Sequence, residues 1–259
     1  MMIGISIRPD IGLGDKLQFS SLPENYFRAT GRRLFDVSRA WIFDHNPYVE
    51  RNRIPAEGLT DTRELWNFPQ REPWANPRAF KTDPTVYLSN AEVTAARFKV
   101  PVVLNRPRLY RFEQYPFELR TQILLHTSGK SHGQMPDYVV DHVIKKYGRT
   151  GNLFQIGLPT DPDFGIPKLE TKSLWDLAEV ISKARMFIGV DSGPSWIAAC
   201  YPDVVSKKIR LRHVHGQKPF HEWVPLEINN LHAHWDDRIF QICNPTEDDL
   251  GAFPSYKRL

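Results

Sequence analysis

The chain has only two cysteines in 259 residues, Cys200 and Cys243. That excludes a disulfide framework and a four-cysteine zinc site. Long apolar runs are also missing: no stretch approaches the ~20 residues a membrane-spanning helix needs. The opening MMIGISIRPD lacks a basic leader followed by an apolar core, so no signal peptide is expected and the location expected is cytoplasmic. Neither G-x-G-x-x-G nor G-x-x-x-x-G-K-[ST] occurs: Gly12-Leu-Gly14 is followed by Leu17 where a third glycine belongs. This disfavours a dinucleotide oxidoreductase and a P-loop enzyme. Charge of one sign is scarce. Thirty-four Lys and Arg against 30 Asp and Glu leave +4, with an isoelectric point near 9.0. This mild basicity suits anionic ligands or peripheral contact with an anionic inner-membrane surface. Without a basic stripe or a recognition motif, no nucleic-acid partner is expected.

What is present is enough for a packed core: 41% hydrophobic and 12% aromatic residues. The stretch FIGVDSGPSWIAAC is the most informative. Arg185 to Val190 reads as a buried strand, Asp191-Ser192-Gly193 as a sharp turn, and Ser195 to Tyr201 as a short helix opened by Pro194. A strand passing through a small polar turn into a helix points backbone N–H groups at one spot, and that spot suits a phosphate. Such turns also occur without a ligand.

The start of the chain repeats this logic. Met2 to Ile7 is an isoleucine-rich strand, followed by the glycines Gly12 and Gly14, Asp15, and a helix over Lys16 to Thr30 stopped by Gly31. Asp15 sits where strand hands over to helix, the place where open α/β sheets bind ligands. It is either a catalytic carboxylate or an ordinary helix cap. Strands are also expected over Arg33 to Ser38, Trp41 to Asp44, Thr85 to Ser89 and Val100 to Leu104, with a helix over Ala91 to Phe98 and a helical turn at Arg63 to Trp66. Residues 45–84 are rich in Pro, Arg, Asn and Trp and read as a functional loop region. Arg106 to Phe117 reads as a linker.

A second α/β unit follows. Gln122 to His126 is a strand, Thr127-Ser128-Gly129-Lys130-Ser131-His132-Gly133 a small-residue loop, and Pro136 to Tyr147 a helix. Asn152 to Leu158 is a strand, and Ser173 with Asp176 caps a helix to Ala184. The loop at Thr127 and the turn at Asp191 both fall at carboxyl ends of parallel strands, so both can converge on one ligand. Hydroxyls, glycine amides and one lysine are the groups that hold a diphosphate. Lys130 can equally be a solvated surface lysine.

The tail carries His213, His215, His221, His232 and His234 with Asp236 and Asp237. Histidines two apart on a strand share a face without a metal, and no third ligand is set by spacing, so no metal site is expected.

Three segments, IGLGDKLQFSSLP, ILLHTSGKSHGQMP and ISKARMFIGVDSGPSWIAA, resemble glycosyltransferase family 9, the ADP-heptose:lipopolysaccharide heptosyltransferases and their relatives. The resemblance covers the start and most of residues 120–201. It implies an α/β GT-B-like fold, two Rossmann-like domains with parallel sheets facing a central cleft. The boundaries expected are 1–118 for the acceptor side and 119–259 for the donor side, the tail packing back on the first domain. It further implies an inverting transfer of heptose or hexose from a nucleotide-diphosphate sugar to a surface glycan or lipid-linked acceptor, with no cofactor and no metal. Asp15 matches the family's general base, with Gly12 and Gly14 as the backbone turn beside it. Thr127, Ser128, Gly129, Lys130, Asp191, Ser192 and Gly193 match the donor diphosphate site. Trp196 stands where the family has histidine, and the loop at Lys130 lacks the usual Lys-x-Trp-Pro. A different nucleotide-hexose donor, or an inactive sugar-nucleotide-binding relative, is the competing expectation.

Overall fold

The computed structural model describes residues 2–52, 58–65, 94–95, 97–104, 106–112, 120–129, 133–190, 192–201, 205–210 and 240–243. The chain divides into two units, Met1–Arg111 and Phe112–Leu259.

Unit 1 is built on a parallel four-stranded sheet of order β3-β2-β1-β4. The strands are β1 (Met2–Ser6), β2 (Leu34–Asp36), β3 (Val49–Glu50) and β4 (Leu59–Glu64). Between β1 and β2 run two helices, α1 (Leu13–Gln18) and α2 (Leu22–Thr30), where the sequence predicts one. The break falls at Ser20 and Ser21, both fully buried. Ser20 Oγ donates to Leu17 O (2.6 Å) and accepts from Arg108 N (2.7 Å), so a hydroxyl needed for a tertiary contact bends the chain there. Gly31 ends α2 as expected, at φ 69°, its N–H bonded to Phe27 O.

Three further expectations are corrected in unit 1. Trp41–Phe43 is a turn of 3-10 helix, not a strand. Arg63 and Glu64 belong to strand β4, not to a helical turn. Val100 to Leu104 forms no strand: Val103 N and Leu104 N donate to Asn25 Oδ1 (2.9 and 2.7 Å), while Asn25 Nδ2 donates to Leu104 O (2.7 Å). One buried asparagine side chain thus takes the place of a neighbouring strand.

The expected linker is, in its described first part, docked on the same helix. Arg108 Nη1 lies 3.1 Å and Tyr110 Oη 2.6 Å from Glu24 Oε2, while Arg28 donates to Oε1. Glu24 is 1% exposed. Burial of the Tyr110 phenol, with its hydrogen bond to the Glu24 carboxylate, pushes that hydroxyl's pKa up, so it stays a donor.

Unit 2 is built on a parallel five-stranded sheet of order β11-β10-β9-β5-β8. These are β5 (Gln122–His126), β8 (Leu153–Gln155), β9 (Ala184–Val190), β10 (Val205–Arg210) and β11 (Phe240–Cys243). Helix α3 (Asp137–Tyr147) lays Val139, Val140, Val143 and Tyr147 on Ile123, Leu125, Met186, Ile188 and Val190. Their i, i+4 spacing puts them on one stripe, and alternate strand residues supply the facing surface. Leu124 and Phe187, on the opposite face, are fully buried too. A sheet covered on both sides explains why β5 and β9 read as apolar runs. Ser173 caps α4 (Leu174–Ser182): its Oγ accepts from Asp176 N (3.0 Å). Asp176 Oδ2 accepts from Lys172 N (3.0 Å), one residue beyond the N-cap amide of the usual reciprocal bond.

Candidate functional site

In each unit the sheet order reverses beside the first strand. β2 and β3 lie on one side of β1 and β4 on the other; β8 lies on one side of β5, with β9 and β10 on the other. Open parallel sheets bind ligands outside the carboxyl ends of strands at such a switch point. The described residues among those predicted from the sequence follow β1, β5 and β9 in the chain.

In unit 1 the chain leaves β1 through Ile7, whose N–H donates to Ser38 Oγ (3.1 Å) just past β2. Ser38 Oγ in turn donates to Asp36 Oδ1 (2.7 Å), and Arg51 Nε lies 3.2 Å from Asp36 Oδ2. Asp36 is buried and its pKa is raised by that burial, with Ser38 and Arg51 opposing the rise. This network stiffens the base of the loop. The loop carries an Arg8–Asp10 ion pair, and Arg8 Nε also lies 3.9 Å from Glu64 Oε1 at the end of β4. Gly12 is the N-cap of α1, at φ −58° and ψ 152°.

Asp15 is therefore not the cap but lies within the first turn of α1, half-buried. Its carboxylate folds back over Gly12: a Cβ added at Gly12 would meet Asp15 Oδ2 at 2.9 Å. A side chain at Gly12 would therefore displace the Asp15 carboxylate, while the φ there suits any residue. The expectation that Gly14 makes the turn is corrected, since Gly14 is inside the helix. Lys16 Nζ donates to Pro9 O (2.7 Å), tying the helix to the loop before it.

In unit 2 the ends of β5 and β9 are adjacent, with His126 in register with Gly189. A Cβ at Gly189 would lie 3.1 Å from His126 O and 2.8 Å from the Phe187 ring. Glycine thus lets the two strands close up at this level. The stretch after β5 is not an open loop. Ser128–Gly129 (β6) and Gly133–Gln134 (β7) pair as an antiparallel hairpin, its base closed by Met135 N donating to Thr127 O (2.7 Å). Ser128 is half-buried; Thr127 is fully buried, and its Oγ1 has no hydrogen-bond partner. Lys130 and Asp191 lie outside the described residues.

Helix α5 (Gly193–Cys200) starts from Ser192, an extended N-cap at φ −157° and ψ 179°. Pro194 is its second residue rather than its first. Ser195, fully buried, locks this turn: its Oγ accepts from Ser192 N (2.9 Å) and donates to Val190 O (2.6 Å). Ser192 Oγ lies 3.2 Å from His126 Nδ1 and 3.3 Å from Val190 O. The two predicted segments, Thr127 to Gly129 and Ser192 to Gly193, are thus brought together through His126. Trp196 is buried on α5.

Sequence reading missed His126 and the side chain of Ser195. The first was visible only as a polar residue ending an apolar strand, the second only as the third residue of a capped helix.

Burial lowers the pKa of His126 from its ordinary 6.5 to about 4, opposed by the negative charge of Asp161. Asp161 lies after β8, where its Oδ2 accepts from Leu158 N (2.8 Å). His126 is therefore neutral at pH 7. Between pH 6.5 and about 4 the unfolded chain binds the proton and the folded one does not, so stability falls as pH falls. The full difference is about 3 kcal/mol, complete below pH 4. Urea titrations at pH 7 and pH 4.5 should show this loss, reduced in His126→Asn; an equal loss in both proteins would remove His126 as its source.

Among the described residues no three His, Cys, Asp or Glu side chains gather as a metal site, and no helix is long and apolar enough to cross a membrane. The His-rich tail lies outside the described residues.

No protein-family model matches the sequence, and no curated protein matches it in sequence. Solved structures do share the fold. The Escherichia coli heptosyltransferase WaaC with ADP superposes with a TM-score of 0.62 at 12% identity, covering 99% of this chain and 97% of that one. A glycosyl transferase family 9 protein from Veillonella parvula gives 0.55 at 12% identity, covering 100% and 93%. The iron-containing dodecameric glycosyltransferase TibC of enterotoxigenic E. coli gives 0.53 at 18% identity. Against TibC, 80% of this chain is covered but only 59% of that one, so the match spans less than two thirds of the length of TibC. The fold is that of these glycosyltransferases, the α/β architecture of two parallel sheets expected from the sequence.

Proposed function

We propose that this protein is a glycosyltransferase that moves a heptose or hexose from a nucleoside-diphosphate donor to a surface glycan or lipid-linked acceptor, with inversion and without a metal. The observation that carries this reading is the switch point of unit 2. There the hydroxyls of Thr127 and Ser128 and the start of α5 gather at adjacent strand ends, in a fold shared with a heptosyltransferase solved with ADP.

In this reading Thr127, Ser128, Gly129, Lys130, Asp191, Ser192 and Gly193 line the donor diphosphate. The unsatisfied hydroxyl of Thr127 is one acceptor or donor waiting for a partner. The Gly193 amide, at the positive end of the α5 dipole, and Lys130 stabilise the charge that grows on the departing nucleoside diphosphate, the task a divalent cation performs elsewhere. A sugar hydroxyl is a weak nucleophile, so a carboxylate must take its proton as it attacks the anomeric carbon. Asp15 at the switch point of unit 1 has that role. The site of action proposed is the cytoplasmic membrane face.

Calorimetric titration with ADP, GDP, UDP and CDP in EDTA tests the donor side. Selective binding of one nucleotide supports the reading and narrows the donor; no binding by any overturns the metal-free diphosphate site. Binding without transfer would mark the protein as an inactive sugar-nucleotide binder.

Gly12→Ala tests how Asp15 is placed. Alanine tolerates φ −58°, so the fold should be kept, but its Cβ displaces the carboxylate. Turnover should fall about tenfold, within the range that small misplacements of a reacting group cost, with the melting temperature little changed. Unaltered turnover would show that the carboxylate's position over Gly12 is irrelevant to the reaction.

A further inference from the structure

The switch point of unit 2 contains one group to which the diphosphate reading gives no task. His126 ends the interior strand β5, is 5% exposed, and stands between two elements that the sheet order makes its neighbours. On one side Asp161, following β8, acts on it through its charge. On the other its Nδ1 is 3.2 Å from the hydroxyl of Ser192, the N-cap of α5.

The tautomer of His126 sets the direction of this contact, and Val190 O, which also accepts from Ser195 Oγ, offers the Ser192 proton a second place to go. Ser192 Oγ also lies 3.3 Å from Val190 O, which can only accept. A hydroxyl has one proton. If it is given to Val190 O, the oxygen of Ser192 must accept from His126, which then carries its proton on Nδ1. The resulting chain, Nδ1–H to Oγ–H to O=C, adds to the capping box in which Ser192 Oγ accepts from Ser195 N. It also crosses from β5 to the turn after β9, where no backbone bond joins β5 to α5. Ser195 braces the same turn from the helix side through Ser192 N and Val190 O. Ser192 is thus held at both its hydroxyl and its amide, which fixes where the first turn of α5 points.

We propose that His126 is a positioning residue of this site, whose Nδ1–H holds the Ser192 hydroxyl and thereby locks the turn that presents the Gly193 amide at the start of α5 to an anionic ligand. The ligand clause rests on the donor-site reading above; the locking of the turn does not. A neutral imidazole suits the task, because a charged one would compete for the anion and would have to be desolvated beside the core.

Two substitutions separate this from a simple packing role. In His126→Asn the carboxamide nitrogen occupies nearly the place of Nδ1 and can still donate to Ser192. In His126→Gln the amide reaches further, to the place of Nε2, and leaves Ser192 without that donor. Amide hydrogen exchange of Gly193 and Ser195 and calorimetric binding of ADP are measured for both variants and the parent at pH 7. The expected result is exchange at these amides about tenfold faster in His126→Gln, with ADP affinity about tenfold weaker, the scale of one hydrogen bond lost. His126→Asn should restore both to within about threefold. Exchange at Gly193 and Ser195 unchanged in His126→Gln, or equally raised in both variants, overturns the proposal. If the parent binds no nucleotide while His126→Gln alone loosens the turn, the donor reading fails and the lock stands.

Discussion

Replacing Asp15 by asparagine should lower turnover by about 100-fold or more, the scale on which a positioned general base contributes, while nucleotide binding stays near its parent value. The change keeps size and shape, so the carboxamide can still fold back over Gly12, and what is lost is basicity. Asparagine remains acceptable in the first turn of a helix, although the favourable interaction of a carboxylate with the helix dipole goes with the charge. That costs well under the effect sought, a few tenths to 1 kcal/mol, and affects melting rather than turnover. The two contributions therefore separate when melting and transfer are measured on the same preparation. Turnover within a few fold of the parent would remove Asp15 from the chemistry and leave it as a helix-end carboxylate.

The largest effect on stability is expected from Glu24→Ala. The carboxylate is nearly inaccessible and receives Arg28, Arg108 and the Tyr110 hydroxyl. Removing it leaves a buried phenol without an acceptor and two guanidinium groups without their charge partner. Breaking a buried pair typically costs about 3–5 kcal/mol. Here the arginine side chains are 50% and 29% exposed, so water recovers part of that. About 3 kcal/mol is expected, enough to lower the melting of a unit this size by more than 10 °C. The segment carrying Arg108 and Tyr110 should become susceptible to proteolysis in step. A loss under about 1 kcal/mol would mean that Asn25 and Ser20 alone hold the segment.

The parts of this fold legible in the sequence are those where one local rule decides. QILLH and ARMFIGV read as strands because a sheet covered on both faces asks for uninterrupted apolar residues. Gly31 reads as a stop because only glycine takes its φ without strain, and Ser173 reads as a cap because its partner is three residues away. What misled were segments whose partners are remote in the chain. Val100 to Leu104 has the composition of a strand, but its amides go to the side chain of Asn25. Leu59 to Glu64 is a strand at the edge of the sheet, where solvent permits TDTRE and erases the alternation. The break between α1 and α2 depends on Arg108, about 90 residues on. At the site, the Ser192 turn was legible as strand, small residues and helix. His126 was not, because a lone histidine after three aliphatic residues has no pattern until β9 is laid beside it.

The position of β5 in the sheet also bears on how the protein is made. β5 emerges from the ribosome first among the strands of unit 2, yet its partners are β8 and β9, and the residues between His126 and Ala184 must follow before the second can pair. At roughly 5–20 residues per second, that leaves Ile123, Leu124 and Leu125 uncovered for several seconds. Helix α3, made in the interval, can shield only the face bearing Ile123 and Leu125. The half-made unit is therefore the species that a nascent-chain chaperone would be expected to hold, and synonymous codons that slow translation within residues 127–183 should lower soluble yield without altering the finished protein.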